Sequence, residues 1–572
     1  ALLLGLFWPL YAVLRWTDLG VSLGFTGFVA LYGAAALALL LFAVWWLAAS
    51  RVGWAERLGL FALAVFVGGG AAFLADRTAL GVLFMPGLPL VLTTWTLGLA
   101  IAWKWRPKRR AWALAGVLGL TWAPFLLVRT EGVGGDFQPT LRPRWTPTPE
   151  KQYLEEDDVT GEQRLSAGSQ YGLTLQPGDW PGFRGDQRDG IVRGVRLLTD
   201  WEAVPPKLLW RRRIGPAWSS IAVVGDRLYT QEQHGPLEAV VCLDAASGRT
   251  LWSHHDTARH EDGQGEAGPR ATPTFAENRI FALGAKGKLN CLDPVSGDRK
   301  WSRDIAVDAG TQAPVWGFAS SPLVVGDLVV VFAGSEISDS QRNLLAYHRD
   351  SGELVWSAAA GRSGYSSAHR ALLGDSEQVL FVSDGGIFAF ELSSGAALWQ
   401  HAAESANFGI PRVVQPRIIG ANAILFDAGP DAGTTLVSLA GDGTSWTSTK
   451  RWVSRQLKPS FNDFVIHDRA MYGFDGRVFT CLDLETGKRR WKEGRYGSGQ
   501  VLLLEDQPLL VVITDEGQVV LVAANPEEHK ELGRFQAVEG KTWNHPAIAH
   551  GRLYIRNAAE IACYELPVGA KR

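Results

Sequence analysis

One phrase constrains the fold of this chain more than any other: Cys481-Leu-Asp-Leu-Glu-Thr-Gly-Lys-Arg-Arg-Trp491. It reads as the end of a strand, a tight turn, and a second strand opening on tryptophan. The glycine supplies a positive φ without steric cost, and the aspartate caps the turn with its own side chain. Variants of the phrase stand at 242–252, 291–301, 346–356 and 389–399. A phrase that returns at long spacing marks repeated supersecondary units, which bury their faces only by stacking on one another.

The large aromatic closing each phrase marks one unit. Markers fall at Trp210, Trp252, Trp301, Trp356, Trp399, Trp452, Trp491 and Phe535, a mean spacing of about 46 residues. That is the size of a four-stranded propeller blade. The turns before Trp452 and Phe535 have lost the phrase. Eight markers predict eight blades. The first, in Lys207-Leu-Leu-Trp210, precedes any complete blade, and the last strands, 553–556 and 561–566, lack a following marker. The Lys207 strand is therefore expected to complete the final blade and remove an open sheet edge. Cys242, Cys291 and Cys481 occupy one place in their units, and Cys563 opens a related Cys-Tyr-Glu-Leu. Equivalent positions in separate units lie too far apart to bridge, so buried free thiols are expected.

Residues 1–129 are a different kind of polymer. Apolar runs cover 1–14, 21–49, 58–75, 79–103 and 111–128. Most come near the roughly 20 residues that a bilayer-spanning helix needs, so five spans are expected. Arg51 and Arg57 lie between the second and third runs. Lys104, Arg106, Lys108, Arg109 and Arg110 lie between the fourth and fifth, and the other two loops carry only Arg15 and Arg77 as basic residues. The positive-inside rule then puts the amino end in the cytoplasm and everything beyond Arg129 outside. Trp45, Trp46, Trp54, Trp103 and Trp105 fall at the run ends, as an interfacial belt does. No histidine precedes His234, and no acidic residue interrupts the runs. Haem ligation and a proton relay thus lack their usual side chains. Gly68-Gly-Gly70 and the small-residue stretch 33–38 permit close contact with partner helices. Residues 130–178, with Pro139, Pro143, Pro147 and Pro149, read as an extended tether, and the acidic run 155–158 as a solvated surface. The propeller is expected over 179–572. A net charge of -2 gives no reason to expect nucleic acid.

The phrase, with the opening Trp180-Pro-Gly-Phe-Arg-Gly-Asp-Gln-Arg-Asp-Gly190, resembles the tryptophan-docking repeat of the quinoprotein dehydrogenase superfamily, whose propellers have eight blades. His348 and Glu391 depart from it at the aspartate position. The resemblance covers roughly residues 180–566. An anchor of five spans is similar in layout to membrane-bound quinoprotein glucose dehydrogenase. It implies a membrane α-helical anchor plus an all-β, eight-bladed β-propeller of the PQQ-like type. The superfamily includes enzymes and non-catalytic outer-membrane assembly lipoproteins, so it leaves activity open.

For the enzymes, the resemblance implies PQQ on the axis, Ca²⁺ held by Glu, Asn and Asp, an aspartate base, and often adjacent cysteines. No two cysteines are adjacent here. The inner strands are expected to open near Trp218, Arg270, Ala319, Tyr365, Arg412, Pro459, Gly497 and Trp543. They offer Arg270, Arg412, Lys458, Asn462, Gln500, Asn544 and His545 as funnel candidates, with Asp463 the only carboxylate. One carboxylate does not furnish both a calcium shell and a general base. Three cations suit an anion, while arginine and amides near an axis equally satisfy backbone groups and trapped water. Trp218, Trp316 and Trp543 either stack on a flat ligand or pack against each other. His254, His255, Asp256, His260, Glu261 and Asp262 are dense in ligand types but lack a metal-site spacing. The stretches 253–268 and 336–342 read as partner-contact loops.

The expectation is a non-catalytic accessory or scaffold subunit of a larger complex, respiratory, photosynthetic or concerned with envelope assembly. Its place is the bacterial inner membrane, with a periplasmic propeller. Its partners are the lipid bilayer and other membrane subunits, met through the helices and the propeller loops. No catalytic residue, metal or cofactor is expected. The alternative is a PQQ- and Ca²⁺-dependent membrane dehydrogenase that oxidises alcohols or sugars and reduces quinone.

Overall fold

A computed structural model of the chain describes residues 2–16, 18–50, 52–134, 139–156, 173–263, 266–403, 412–429, 432–441 and 446–569. They form two compact units, Ala1–Pro147 and Thr148–Arg572.

The first unit is helical, built on Leu2–Trp16, Asp18–Ala49, Trp54–Leu74, Leu88–Ile101 and Pro107–Leu126. Among the described residues, three segments are long and apolar enough to cross a membrane: Val29–Ala48, Trp54–Leu74 and Arg77–Ile101. The expected five spans are matched in part by these three. Among the described residues, the first helix, Leu2–Trp16, offers only the shorter apolar segment Gly5–Leu14. The last opens on Lys108, Arg109 and Arg110, which lower its mean hydropathy. Trp46 meets Trp95 edge-on at 5.4 Å, among buried Leu60, Leu83, Leu114, Leu118 and Trp122. The buried guanidinium of Arg57 donates to the carbonyls of Leu47, Ser50 and Val52. The Leu47 carbonyl is one that the end of helix Asp18–Ala49 leaves orphaned, and the other two belong to the segment that follows. Strands Val128–Val133 and Pro139–Pro143 pair as an antiparallel ribbon. Of the acidic run, Asp157 and Asp158 lie outside the described residues.

The second unit is a ring of eight antiparallel sheets. Blades 1 to 7 are residues 222–257, 274–304, 323–358, 369–402, 417–454, 465–495 and 500–536. Blade 8 is 547–565, completed by Lys207–Arg213 as expected. Blade 7 gains a fifth strand, Ile191–Val192, parallel to Gln500–Leu504.

The register explains the phrase. The marker faces a small residue on the neighbouring strand: Cys242 opposite Trp252, Cys291 opposite Trp301, Ala346 opposite Trp356, Cys481 opposite Trp491 and Cys563 opposite Trp210. The indole then reaches under the turn of the next blade. Its Nε1–H donates to Ala245 O from Trp210 (3.1 Å), to Pro294 O from Trp252 (3.1 Å), to Arg349 O from Trp301 (2.8 Å) and to Leu392 O from Trp356 (3.0 Å). The turn glycine lies on the ring. A Cβ at Gly248, Gly297, Gly352 or Gly395 would fall 2.5–2.7 Å from indole atoms. Glycine is thus required for close approach as well as for its positive φ. Where blade 5 lacks the phrase, Trp399 turns to Gln378 Oε1 of its own blade (2.9 Å). All four cysteines are buried and free, and burial pushes each thiol up to about 12.

Candidate functional site

The axis is the place where this fold concentrates side chains from every blade. Two residues ahead of seven inner strands stand Ser220, Thr272, Ser321, Ser367, Gln415, Asp463 and His545. They bond from blade to blade. The amides of Ser220, Thr272 and Ser321 donate to Thr272 Oγ1 (3.0 Å), Ser321 Oγ (3.0 Å) and Ser367 Oγ (2.9 Å). The Gln415 amide donates to Asp463 Oδ1 (3.3 Å), and Ser220 Oγ donates to His545 O (2.5 Å). The short polar residues that open the inner strands thus form a belt around the axis.

Against this belt lies the segment Trp180 to Gly190. Trp180 bridges to Val223 of blade 1, and Pro181 O accepts from Phe275 N of blade 2 (2.8 Å). Arg188 donates to Ser321 O and Pro322 O, both at 2.9 Å, beside blade 3. Arg184 donates to Phe464 O (3.0 Å), and its Nη1 lies 2.9 Å from Asp463 Oδ2, beside blade 6. Ile191 pairs with Leu503 of blade 7. Phe183 meets His545, beside blade 8, edge-on at 4.9 Å. The sequence reading took this stretch as a family marker and gave its arginines no role. The available signal was two arginines set among glycines, since glycine frees the backbone to turn.

Burial and the nearby Arg184 push the His545 imidazole well below its usual range, so it is neutral. His369 of blade 4 is pushed down to about 3 by burial and by Arg417, Arg188 and Arg184. Of the funnel candidates, the structure gathers Asn462, Gln500, Asn544 and His545 around the belt. Asn462 Oδ1 accepts from Ser460 N (3.1 Å). Gln500 Nε2 donates to Trp543 O (2.9 Å) and Phe461 O (3.3 Å), and Asn544 Nδ2 to Ser219 O (2.8 Å) and Ala217 O (3.1 Å). Arg270, Arg412 and Lys458 do not converge on one anion site. Arg270 binds Asp262 (2.6 Å), Glu266 O (2.8 Å) and Trp316 O (3.0 Å). Arg412 is buried against Gly429 and opposes the burial that raises Asp427 to about 6. Lys458 lies 3.9 Å from Asp475.

Where the inner strands begin, aromatic rings meet in a chain across the mouth. Trp218 meets Trp543 at 5.3 Å, Trp543 stacks on Phe461 at 5.1 Å, Phe461 reaches Trp316 at 6.0 Å, and Trp316 reaches Tyr365 at 5.1 Å. Lys541 Nζ sits over Trp543 (4.2 Å) and Trp218 (4.9 Å) and pairs with Glu266 at 3.1 Å. Trp218 and Trp543 pack on each other, and Trp316 packs on Phe461 and Tyr365.

The histidine-rich stretch is split by strand alternation. His254 and Asp256 share one face of Thr250–Thr257, while His255 turns to His234 at 3.2 Å. Among the described residues, no three His, Cys, Asp or Glu side chains gather as a metal site. A calcium-bound quinone centre does not fit the axis either. Calcium asks for several oxygens, carboxylates among them. The belt carries one carboxylate, Asp463, and it is engaged by Arg184.

A likeness to known proteins accompanies this geometry. The europium-containing methanol dehydrogenase has a TM-score of 0.52 at 12% identity, covering 68% of this chain and 98% of that one. Quinohemoprotein alcohol dehydrogenase from Comamonas testosteroni has a TM-score of 0.53 at 11% identity, covering 74% and 85%. At such identities the likeness is one of fold alone. The outer membrane protein assembly factor BamB of Yersinia pestis is 21% identical over 289 residues, 47% of this chain and 70% of the relative. That of Alteromonas naphthalenivorans is 24% identical over 272 residues, 44% and 61%. A family model described as outer membrane protein assembly factor BamB matches residues 174–400 and 238–493, which together exceed half of the chain, and the chain belongs to that family.

Proposed function

We propose that the chain is a non-catalytic accessory subunit of an envelope protein assembly. Its apolar helices anchor it in the inner membrane, and its propeller is a docking platform on the periplasmic side. The observation that carries this reading is the fate of Asp463: the one carboxylate of the belt is ion-paired with the chain's own Arg184. Among the described residues, the belt then has no second carboxylate for a metal shell or a general base. The kinship with assembly factors points the same way, and the basic loops of the helical unit set its orientation.

The platform has a matching surface. Val307, Val315 and Ile337 are 75%, 58% and 61% exposed. Val307 lies on the short helix Ile305–Ala309 and the other two on loops, and these segments are tied by Ser340 Oγ, which donates to Ala309 O, and by Val315 N, which donates to Glu336 Oε1 (2.7 Å). Exposed apolar side chains on fixed segments suit a protein partner. A photo-crosslinking residue at position 307 or 337 of the full chain, in membranes, is expected to give discrete adducts with other envelope proteins. Purification as a lone monomer without adducts ends this reading. Turnover of glucose or an alcohol after addition of PQQ and Ca²⁺ replaces it with an enzyme.

A further inference from the structure

We propose that the axis is a guanidinium-binding site whose ligand is supplied by the chain itself, the arginine-bearing glycine-rich loop 182–190. Two cradles make the site. Asp463 Oδ2 and the carbonyls of Phe464 and Asp189 surround Arg184, which is 1% exposed. The carbonyls of Ser321 and Pro322 take the two Nη groups of Arg188. Arg188 spreads two Nη groups over two carbonyls, while Arg184 gives one Nη to two carbonyls and sets the other against the carboxylate; lysine, a point charge, does not reproduce either arrangement.

The backbone shows that the loop is shaped around these contacts. Arg184 and Arg188 hold φ values of +61° and +54°. Non-glycine residues persist in that region where surrounding contacts over-determine them. The flanking glycines leave room for the arginine: a Cβ at Gly190 would lie 2.5 Å from Arg184 Nη2, and one at Gly185 would lie 2.9 Å from the Trp180 ring. The loop and its flanks bond or pack beside six of the eight blades, from Val223 to His545. It acts as a hub that closes the ring from within, in addition to the Lys207 strand that closes it at the rim.

The test is chemical rescue in the full chain in detergent. Arg184→Ala is expected to lower Tm by roughly 5–10 °C, because it strands a buried carboxylate. Methylguanidinium in millimolar amounts is expected to restore part of that loss in the variant and to leave the native chain unchanged. Arg184→Lys is expected to stay low, and Arg184→Ala with Asp463→Asn to lose less than the two single losses added. Additive losses, or no rescue together with a loss no larger than that of exposed Arg370→Ala, overturn the proposal. If Arg184→Ala does not fold, Asp463→Asn alone decides. Its Tm must fall, and a Tm at or above native overturns the proposal. None of these outcomes bears on cross-linking to partners.

Discussion

The rim and the axis of the propeller hold the same ring together by opposite means. At the rim one contact is made over and over: the indoles of Trp210, Trp252, Trp301, Trp356, Trp452 and Trp491 each donate to a backbone carbonyl of the blade that follows. At the axis each contact is made once, between a particular arginine and a particular acceptor. Repetition makes the rim contacts separable, with each loss falling on one pair of blades. A shared hub ties distant blades to one loop. Removing a rim tryptophan is therefore the largest single insult that stays local. Trp301→Ala deletes a buried indole and its bond to Arg349 O. It is expected to cost about 3–5 kcal/mol, with hydrogen-exchange protection lost in blades 2 and 3 and kept in blades 5 to 7. Loss of protection all round the ring removes the distinction between rim and axis.

The same difference decides what was legible in the sequence. A phrase in five copies announces the blade, its turn, its docking tryptophan and the ring closure. The pairing of Cys563 with Trp210 follows the expected closure. The loop 180–190 occurs once, so no periodicity exposes it, and its arginines act on residues such as Phe464, 280 positions away. Funnel candidates chosen by position end in different places. Asn462, Gln500, Asn544 and His545 lie around the belt, whereas Arg270 is drawn aside by Asp262, an acid on the short strand Glu261–Asp262 that no local pattern predicts. In the helical unit, apolar runs marked the helices. Of the five runs, three are long and apolar enough to span among the described residues, since an apolar run does not by itself fix a helix of spanning length.

A second prediction sharpens the contrast through pH. His369 lies by the axis and faces Arg417, Arg188 and Arg184, and burial with these cations pushes it down to about 3. Unfolded, it titrates near 6.5. The folded state then binds fewer protons than the unfolded one at any pH between these values. Its contribution is intact above about 6.5 and is lost as pH falls toward 3. From that group alone the native chain is expected to lose about 2 kcal/mol by pH 5. His545, also held neutral, acts in the same direction. His369→Gln is expected to flatten the urea midpoint between pH 6.5 and pH 5, and His369→Gln with His545→Gln to flatten it further. An unchanged slope in the double variant shows that the axis does not carry this acid sensitivity.

The smallest expected effect belongs to the rim turn, where water reaches the groups that matter. Asp483 Oδ1 accepts from the amides of Glu485 (3.1 Å) and Thr486 (2.8 Å) and from the Thr486 hydroxyl (2.8 Å). Its other oxygen pairs with Arg490 at 2.7 Å. The Arg490 bond and then the Thr486 hydroxyl hold the carboxyl down to about 2. The stabilisation is thus present above the ordinary aspartate range and fades as pH falls toward 2. Asp483→Ala loses the turn cap and is expected to cost about 1 kcal/mol at pH 7. Asp483→Asn keeps an acceptor for the amides and gives up only an exposed ion pair, so its cost is expected to be about 0.5 kcal/mol or less. Equal costs for the two variants show that charge, rather than the turn bond, holds this hairpin. The repeated phrase then keeps its aspartate for the neighbouring arginine, and the glycine alone shapes the turn.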